Sequence, residues 1–202
     1  MIRPRYLPKA ETHLTSSDPI LAAVMAKVGR CELRRHRDGF SALVDTVISQ
    51  QIATKAAKAI SVRLRDGFPR TGLTPKAILR AGMDKLRACG LSGNKARTIL
   101  AISERVLAGE IDLQRLPRQS DNEIAEVLLP TPGIGPWSVH MYLMFGLARP
   151  DILPTGDYGL RVAVRNCFGL SELPAATTIE RIAEPWRPFR TVASWYLWQS
   201  LK

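Results

Sequence analysis

The chain has 202 residues, 46% of them apolar, which is enough for a substantial core in one domain or two packed lobes and excludes a disordered chain. Its 29 Lys and Arg against 18 Asp and Glu leave a formal charge of +11, an excess that points to a polyanionic partner, with nucleic acid ahead of a membrane surface. The longest apolar run, Val139 to Phe145, is too short to span a bilayer. Cys31, Cys89 and Cys167 are isolated, with neither metal nor disulfide spacing, and no apolar signal segment follows Arg3, Arg5 and Lys9, so a cytoplasmic protein is expected. His13, His36 and His140 form no zinc pattern.

Strand signals are scarce and apolar residues recur at helical spacing almost throughout, so the predicted fold class is all-α. After an irregular start, Ser17-Asp18-Pro19 reads as a helix cap opening a helix that ends near Gly29, followed by a basic connector from Arg30 to Arg37. From Phe40, the positions Leu43, Val44, Val47, Ile48, Ile52, Ala56, Ala59, Ile60 and Leu64 form one stripe, predicting a single long core helix closed by Gly67-Phe68-Pro69. Short helices are predicted from Thr74-Pro75 through Leu79 and from Met83 to Cys89, and a longer one from Asn94 to Leu107. The start of that longer helix, Gly90-Leu91-Ser92-Gly93-Asn94-Lys95-Ala96-Arg97, combines turn residues with two cations, and a plain capped terminus accounts for Ser92.

Glu123 to Leu129 is helical by its spacing, and Pro130 and Pro132 stop it. Gly133 and Gly135 then permit a tight hairpin, and Pro136 suits the first position of a second helix, which runs through Leu147. At that helix start the N–H groups of Gly133, Gly135 and Trp137 can converge on an anion such as a DNA phosphate. Beyond it, Leu153-Pro154-Thr155-Gly156-Asp157-Tyr158-Gly159-Leu160 places a carboxylate before a helix running from Tyr158 to Phe168. Ile179, Ile182, Ala183 and Trp186 mark another helix, and Phe189 to Leu201 the last.

The run Pro132-Gly133-Ile134-Gly135-Pro136-Trp137-Ser138 followed by Leu-Pro-x-Gly-Asp157 resembles the helix-hairpin-helix (HhH-GPD) DNA glycosylases, most closely their 3-methyladenine DNA glycosylase II branch. The resemblance covers roughly residues 18 to 201, without the N-terminal β-rich lobe of the branch's larger members. It implies one catalytic unit over 1–202 with a hairpin lobe at 38–152, a terminal-helix lobe made of 1–37 and 153–202, and a cleft between them that receives a flipped base. It implies double-stranded DNA with damaged bases as the partner, bound by a monomer, and a possible Na+ or K+ on the backbone carbonyls of Leu129, Thr131 and Ile134. The same resemblance makes Asp157 the catalytic carboxylate, with DNA contacts from Gly133, Gly135, Trp137, Ser138, Ser92 and Lys95. Val47-Ile48-Ser49-Gln50-Gln51-Ile52 resembles the segment whose tip enters the duplex, which makes Gln51 the wedge and turns Gln50 toward the base pocket with Trp137, Tyr158 and Trp198. Trp186 and Trp195 read as core.

Cleavage of an N-glycosidic bond builds positive charge on the sugar, which a carboxylate stabilises, and cationic alkylated purines suit aromatic walls. Trp137 stands where bifunctional relatives carry a lysine nucleophile, and no cysteine follows Cys167 to hold an iron-sulfur cluster, so hydrolysis without lyase chemistry and without a required cofactor is expected. The leading expectation is excision of 3-methyladenine and 7-methylguanine to leave an abasic site. A glycosylase for a deaminated or oxidised base, and a non-catalytic DNA-binding hairpin module, are the alternatives.

Overall fold

A computed structural model describes all residues from Met1 to Lys202. The chain is helical and has no β-sheet, its one extended pairing being an isolated bridge between Ile2 and Arg35. It divides into two compact units: Met1–Arg35 with Leu143–Lys202, and His36–Tyr142. No helix is long and apolar enough to cross a membrane.

The first unit contains α1 (Leu7–Ser17), α2 (Pro19–Val28), α9 (Tyr158–Cys167), α10 (Ala176–Ile182) and α11 (Arg190–Gln199). α1 lies in the stretch expected to be irregular. Pro8 falls in its first turn, where the missing N–H costs nothing, and Leu7, Ala10 and Leu14 supply a buried face. Asp18 Oδ1 caps α2 through the N–H groups of Ile20 and Leu21, while Oδ2 accepts the indole N–H of fully buried Trp186 at 2.8 Å. The same core holds Leu21, Leu160, Val164, Val192, Tyr196 and Leu197, with Trp195 packed at its margin.

The second unit contains α3 (Gly39–Ser49), α4 (Thr54–Asp66), α5 (Pro75–Ala88), α6 (Gly93–Leu107), α7 (Asp121–Leu128) and α8 (Pro136–Met141), the last continuing into a π-helical turn at Tyr142–Gly146. α5 is bent at Gly82 (φ 69°, ψ −173°), so the two short helices read from the sequence are present as two arms. The single long helix predicted from Phe40 is not. It is broken at Gln50–Ala53, where Gln50 is extended (ψ 128°) and Gln51 adopts a left-handed φ of 51°. The apolar spacing runs on through the break, but Ile52, Ala56 and Ala59 are exposed, and α4 buries Ala57 along with the predicted Leu64.

The boundary after the hairpin falls at Tyr142/Leu143, ten residues before the lobe edge expected at 152. The segment beyond it is tied to the terminal helices. Tyr6 donates to the Ala148 carbonyl at 3.0 Å, Ile152 N–H donates to Thr191 Oγ1 at 3.0 Å, and Asp151 receives the Arg190 guanidinium at 2.7 Å.

Candidate DNA-repair site

In the second unit α7 begins at a capping box in which Ser120 and Glu123 exchange side-chain and backbone bonds, and Leu129 ends it. Thr131 N–H then donates to the Leu128 carbonyl and Ile134 N–H to the Thr131 carbonyl, each at 3.0 Å, closing a tight turn before Gly135 and Pro136 open α8. The N–H groups of Gly133 and Gly135 find no acceptor within the protein. They are the donors the sequence reading assigns to a phosphate.

Only one of the two glycines is required by backbone geometry. Gly133 has φ +85°, and a Cβ there would lie 2.0 Å from Thr98 Oγ1 on α6. Gly135 has φ −118° and ψ 178°, ordinary extended backbone with open space around a notional Cβ. Of the two glycines that permit the hairpin, Gly133 therefore uses the conformational freedom, while Gly135 is the extended residue preceding α8.

The hairpin is buttressed from α6 by residues that the sequence did not single out. Arg105 donates to Thr131 Oγ1 at 2.5 Å and to the Val127 carbonyl at 3.0 Å, and its Nε pairs with Glu110 at 2.7 Å. Thr131, just 1% exposed, thus spends its side chain on fold. No spacing pattern announces a cation one helix away, so this support was not legible beforehand.

Gln50, expected in the base pocket, turns its amide to the hairpin and donates to the Gly133 carbonyl and to Ser138 Oγ, both at 2.9 Å. Ser138 is buried, so its hydroxyl belongs to this internal link. Gln51 is exposed at the tip of the α3–α4 turn. Ser92 caps α6 by accepting the Lys95 N–H at 3.4 Å. The Lys95 ammonium, expected on DNA, donates to the carbonyls of Ile48 and Gln50 at 2.7 Å each, and burial lowers its pKa below the ordinary lysine value.

In the first unit Asp157 is the cap of α9. Its Oδ1 accepts the N–H of Leu160 at 2.7 Å and the indole N–H of Trp198 at 2.8 Å. Two donors on one oxygen fix the plane of the carboxyl group. Trp198 also packs against Phe145, ring centroids 6.0 Å apart. Gly159 permits this arrangement, since a Cβ there would stand 3.2 Å from Asp157 Oδ1 and 3.4 Å from Trp198 Cδ1. Tyr158 is 69% exposed beside the carboxylate.

Residues 44–188 match the HhH-GPD superfamily of base excision DNA repair proteins. The chain belongs to that superfamily. Among relatives of this HhH-GPD chain, DNA-3-methyladenine glycosylase 1 of Schizosaccharomyces pombe is 34% identical over 205 residues, covering 97% of this chain and 88% of its own. The alkylbase DNA glycosidase-like protein mag2 of the same yeast is 32% identical, covering 95% and 92% respectively. The structure of S. pombe 3-methyladenine DNA glycosylase (Mag1) in complex with abasic DNA superposes with a TM-score of 0.88 at 32% identity, over 95% of this chain and 96% of that one. A 3-methyladenine DNA glycosylase structure from Archaeoglobus fulgidus gives a TM-score of 0.78 at 28% identity, over 92% of this chain and 66% of that one. The all-helical HhH-GPD fold is thus present at nearly full length.

Proposed function

We propose that this HhH-GPD protein is a monofunctional DNA glycosylase that takes alkylated purines such as 3-methyladenine and 7-methylguanine out of duplex DNA and releases them by hydrolysis. The observation that carries this reading is the Asp157 carboxylate, held by the Leu160 and Trp198 donors in a chain similar over its length to 3-methyladenine glycosylases. Base release requires the nucleotide to leave the stack, held by a phosphate grip and replaced by a wedge. In this reading Gly133 and Gly135 grip the phosphate with Trp137, and Gln51 enters the gap. Ser92 starts the DNA-facing helix.

As the N-glycosidic bond breaks, its electron pair leaves with the methylated base, which becomes neutral. Positive charge grows on the sugar. Asp157 offsets that charge in the transition state more than in the ground state, which is the condition for catalysis. Water adds its oxygen at the sugar carbon, and its proton passes to Asp157 or to solvent. A cationic leaving group needs no strong acid, and the chemistry draws on no cofactor. Trp137 in place of a lysine leaves no amine to form a Schiff base at that position. Tyr158 and Trp198, beside the carboxylate, supply aromatic surface for the cationic ring. The carbonyls of Leu129, Thr131 and Ile134 complete the reading as ligands for a monovalent cation. That of Thr131 accepts the Ile134 amide and retains a second lone pair.

Incubation with methylated duplex DNA, followed by chromatography of the supernatant, tests the assignment. Free 3-methyladenine or 7-methylguanine with intact phosphodiester strands is the expected result. Tight DNA binding with no base released from alkylated, deaminated or oxidised duplexes would leave only a binding module.

A further inference from the structure

The Gln51 turn and the hairpin are joined by one line of hydrogen bonds. α6 places Lys95 and Thr98 three residues apart, hence on one face. The Lys95 ammonium closes on the last carbonyls of α3, those of Ile48 and Gln50, at 2.7 Å each. Thr98 lies against Gly133, so close that no Cβ fits there. Gln50 bridges the two ends, its carbonyl on Lys95 and its amide on the Gly133 carbonyl and Ser138 Oγ at 2.9 Å. A cation is favoured at a helix C-terminus, where unpaired carbonyls collect. The left-handed Gln51 follows directly, and a non-glycine residue stays in that conformation when its surroundings over-determine it.

We propose that Lys95 and Gln50 are positioning residues that lock the exposed Gln51 turn to the phosphate-gripping hairpin, so that the gripped phosphate and the displaced base keep a fixed spacing. This rests on the DNA glycosylase reading. It reassigns Lys95, which sequence placed on DNA, to the inside of the DNA-binding unit. Two of its three ammonium donors are spent on backbone carbonyls, so its charge acts on the turn.

The two roles separate in their salt dependence. A lysine on a phosphate releases about one counterion when it binds, so its loss lowers the slope of log affinity against log salt by about one. An internal brace leaves the slope unchanged while misplacing the wedge, and a misplacement near 1 Å costs up to about a hundredfold in rate.

The experiment uses the full chain and its Lys95→Met and Gln50→Leu variants, each confirmed as helical by circular dichroism. Affinity for undamaged duplex is measured across salt concentrations, single-turnover release on a 7-methylguanine duplex, and amide hydrogen exchange at the bonded N–H groups of the two segments, that of Gln50 at the turn and those of Thr131 and Ile134 in the hairpin. Expected are an unchanged salt slope, at least about tenfold slower release, and faster exchange in both segments for either variant. A slope reduced by about one in Lys95→Met would make Lys95 a phosphate contact and overturn the proposal. Release at the parent rate, or exchange accelerated in the turn but not in the hairpin, would also overturn it. A parent chain that releases no base would sink the glycosylase reading, while the exchange coupling would still decide the brace.

Discussion

Replacing Asp157 with Asn separates its two duties. The Asn side-chain oxygen can still accept from the Leu160 N–H and from the Trp198 indole, the two bonds that Oδ1 now receives at 2.7 and 2.8 Å. α9 therefore keeps its cap, and both bonds change from charge-assisted to neutral, a loss of about 1 kcal/mol in stability. The catalytic loss is larger. The lost charge is the one that would oppose the developing sugar cation, and one preorganised electrostatic group is worth on the order of 100- to 1,000-fold in rate, or about 2.7 to 4 kcal/mol. Affinity for undamaged duplex should change little, because the hairpin donors belong to the other unit. Single-turnover release on a 7-methylguanine duplex, DNA titration and a thermal melt of both proteins give the three numbers. A folded Asp157→Asn protein that releases base at the parent rate would show that the carboxylate only caps a helix, and the catalytic assignment would fall.

The two hairpin glycines should respond very differently to alanine. Gly133→Ala adds a left-handed penalty and a Cβ 2.0 Å from Thr98 Oγ1, together about 2–5 kcal/mol, read as a lowered melting temperature and weakened DNA binding, with part recovered in Gly133→Ala/Thr98→Ala. Gly135→Ala, with open space and ordinary angles, should cost less than about 1 kcal/mol; equal losses at both positions would refute the distinction. Burial lowers the pKa of His36 and of His140 below the ordinary 6.5, for His36 despite the Asp45 carboxylate 3.2 Å away. Both are then neutral when folded and take up protons on unfolding, so stability should fall as pH drops through 6.5 toward the folded values, by at most about 1.4 kcal/mol per pH unit for each histidine, and His140→Gln should flatten the slope measured by denaturant titration.

The parts of the fold that sequence disclosed are those governed by local chemistry. Asp18 before Pro19, Thr74 before Pro75 and Ser92 before α6 all cap the helices they were expected to open, because a side-chain oxygen before a helical run has a local task. The start expected to be irregular is instead α1, because a proline in a first turn is compatible with the helix behind it and Leu7, Ala10 and Leu14 give that helix a buried face. The break in the predicted long helix was hidden for a different reason. Gln50-Gln51-Ile52-Ala53 contains no proline or glycine, and apolar spacing continues through it, so nothing local ends α3 there. The ammonium that takes its last carbonyls comes from Lys95, more than forty residues away in sequence.

That same distance separates the local geometries that the sequence disclosed from the contacts that it did not. Asp157 and Gly133 sit in contiguous motifs whose geometry is largely local: a cap, and a turn with a positive φ. Gln50, Lys95 and Ser138 were singled out on their motifs and pointed outward, toward pocket or DNA. The structure instead turns their polar atoms on one another and on the hairpin backbone. In a chain of net charge +11, a lysine beside a DNA-binding segment reads naturally as a phosphate contact, since backbone electrostatics dominates non-specific affinity. Base flipping needs something that charge alone cannot supply: a wedge held at a fixed distance from the gripped phosphate. A lysine that forgoes DNA to fix that distance trades some affinity for geometry, and the geometry acts on the step that follows binding.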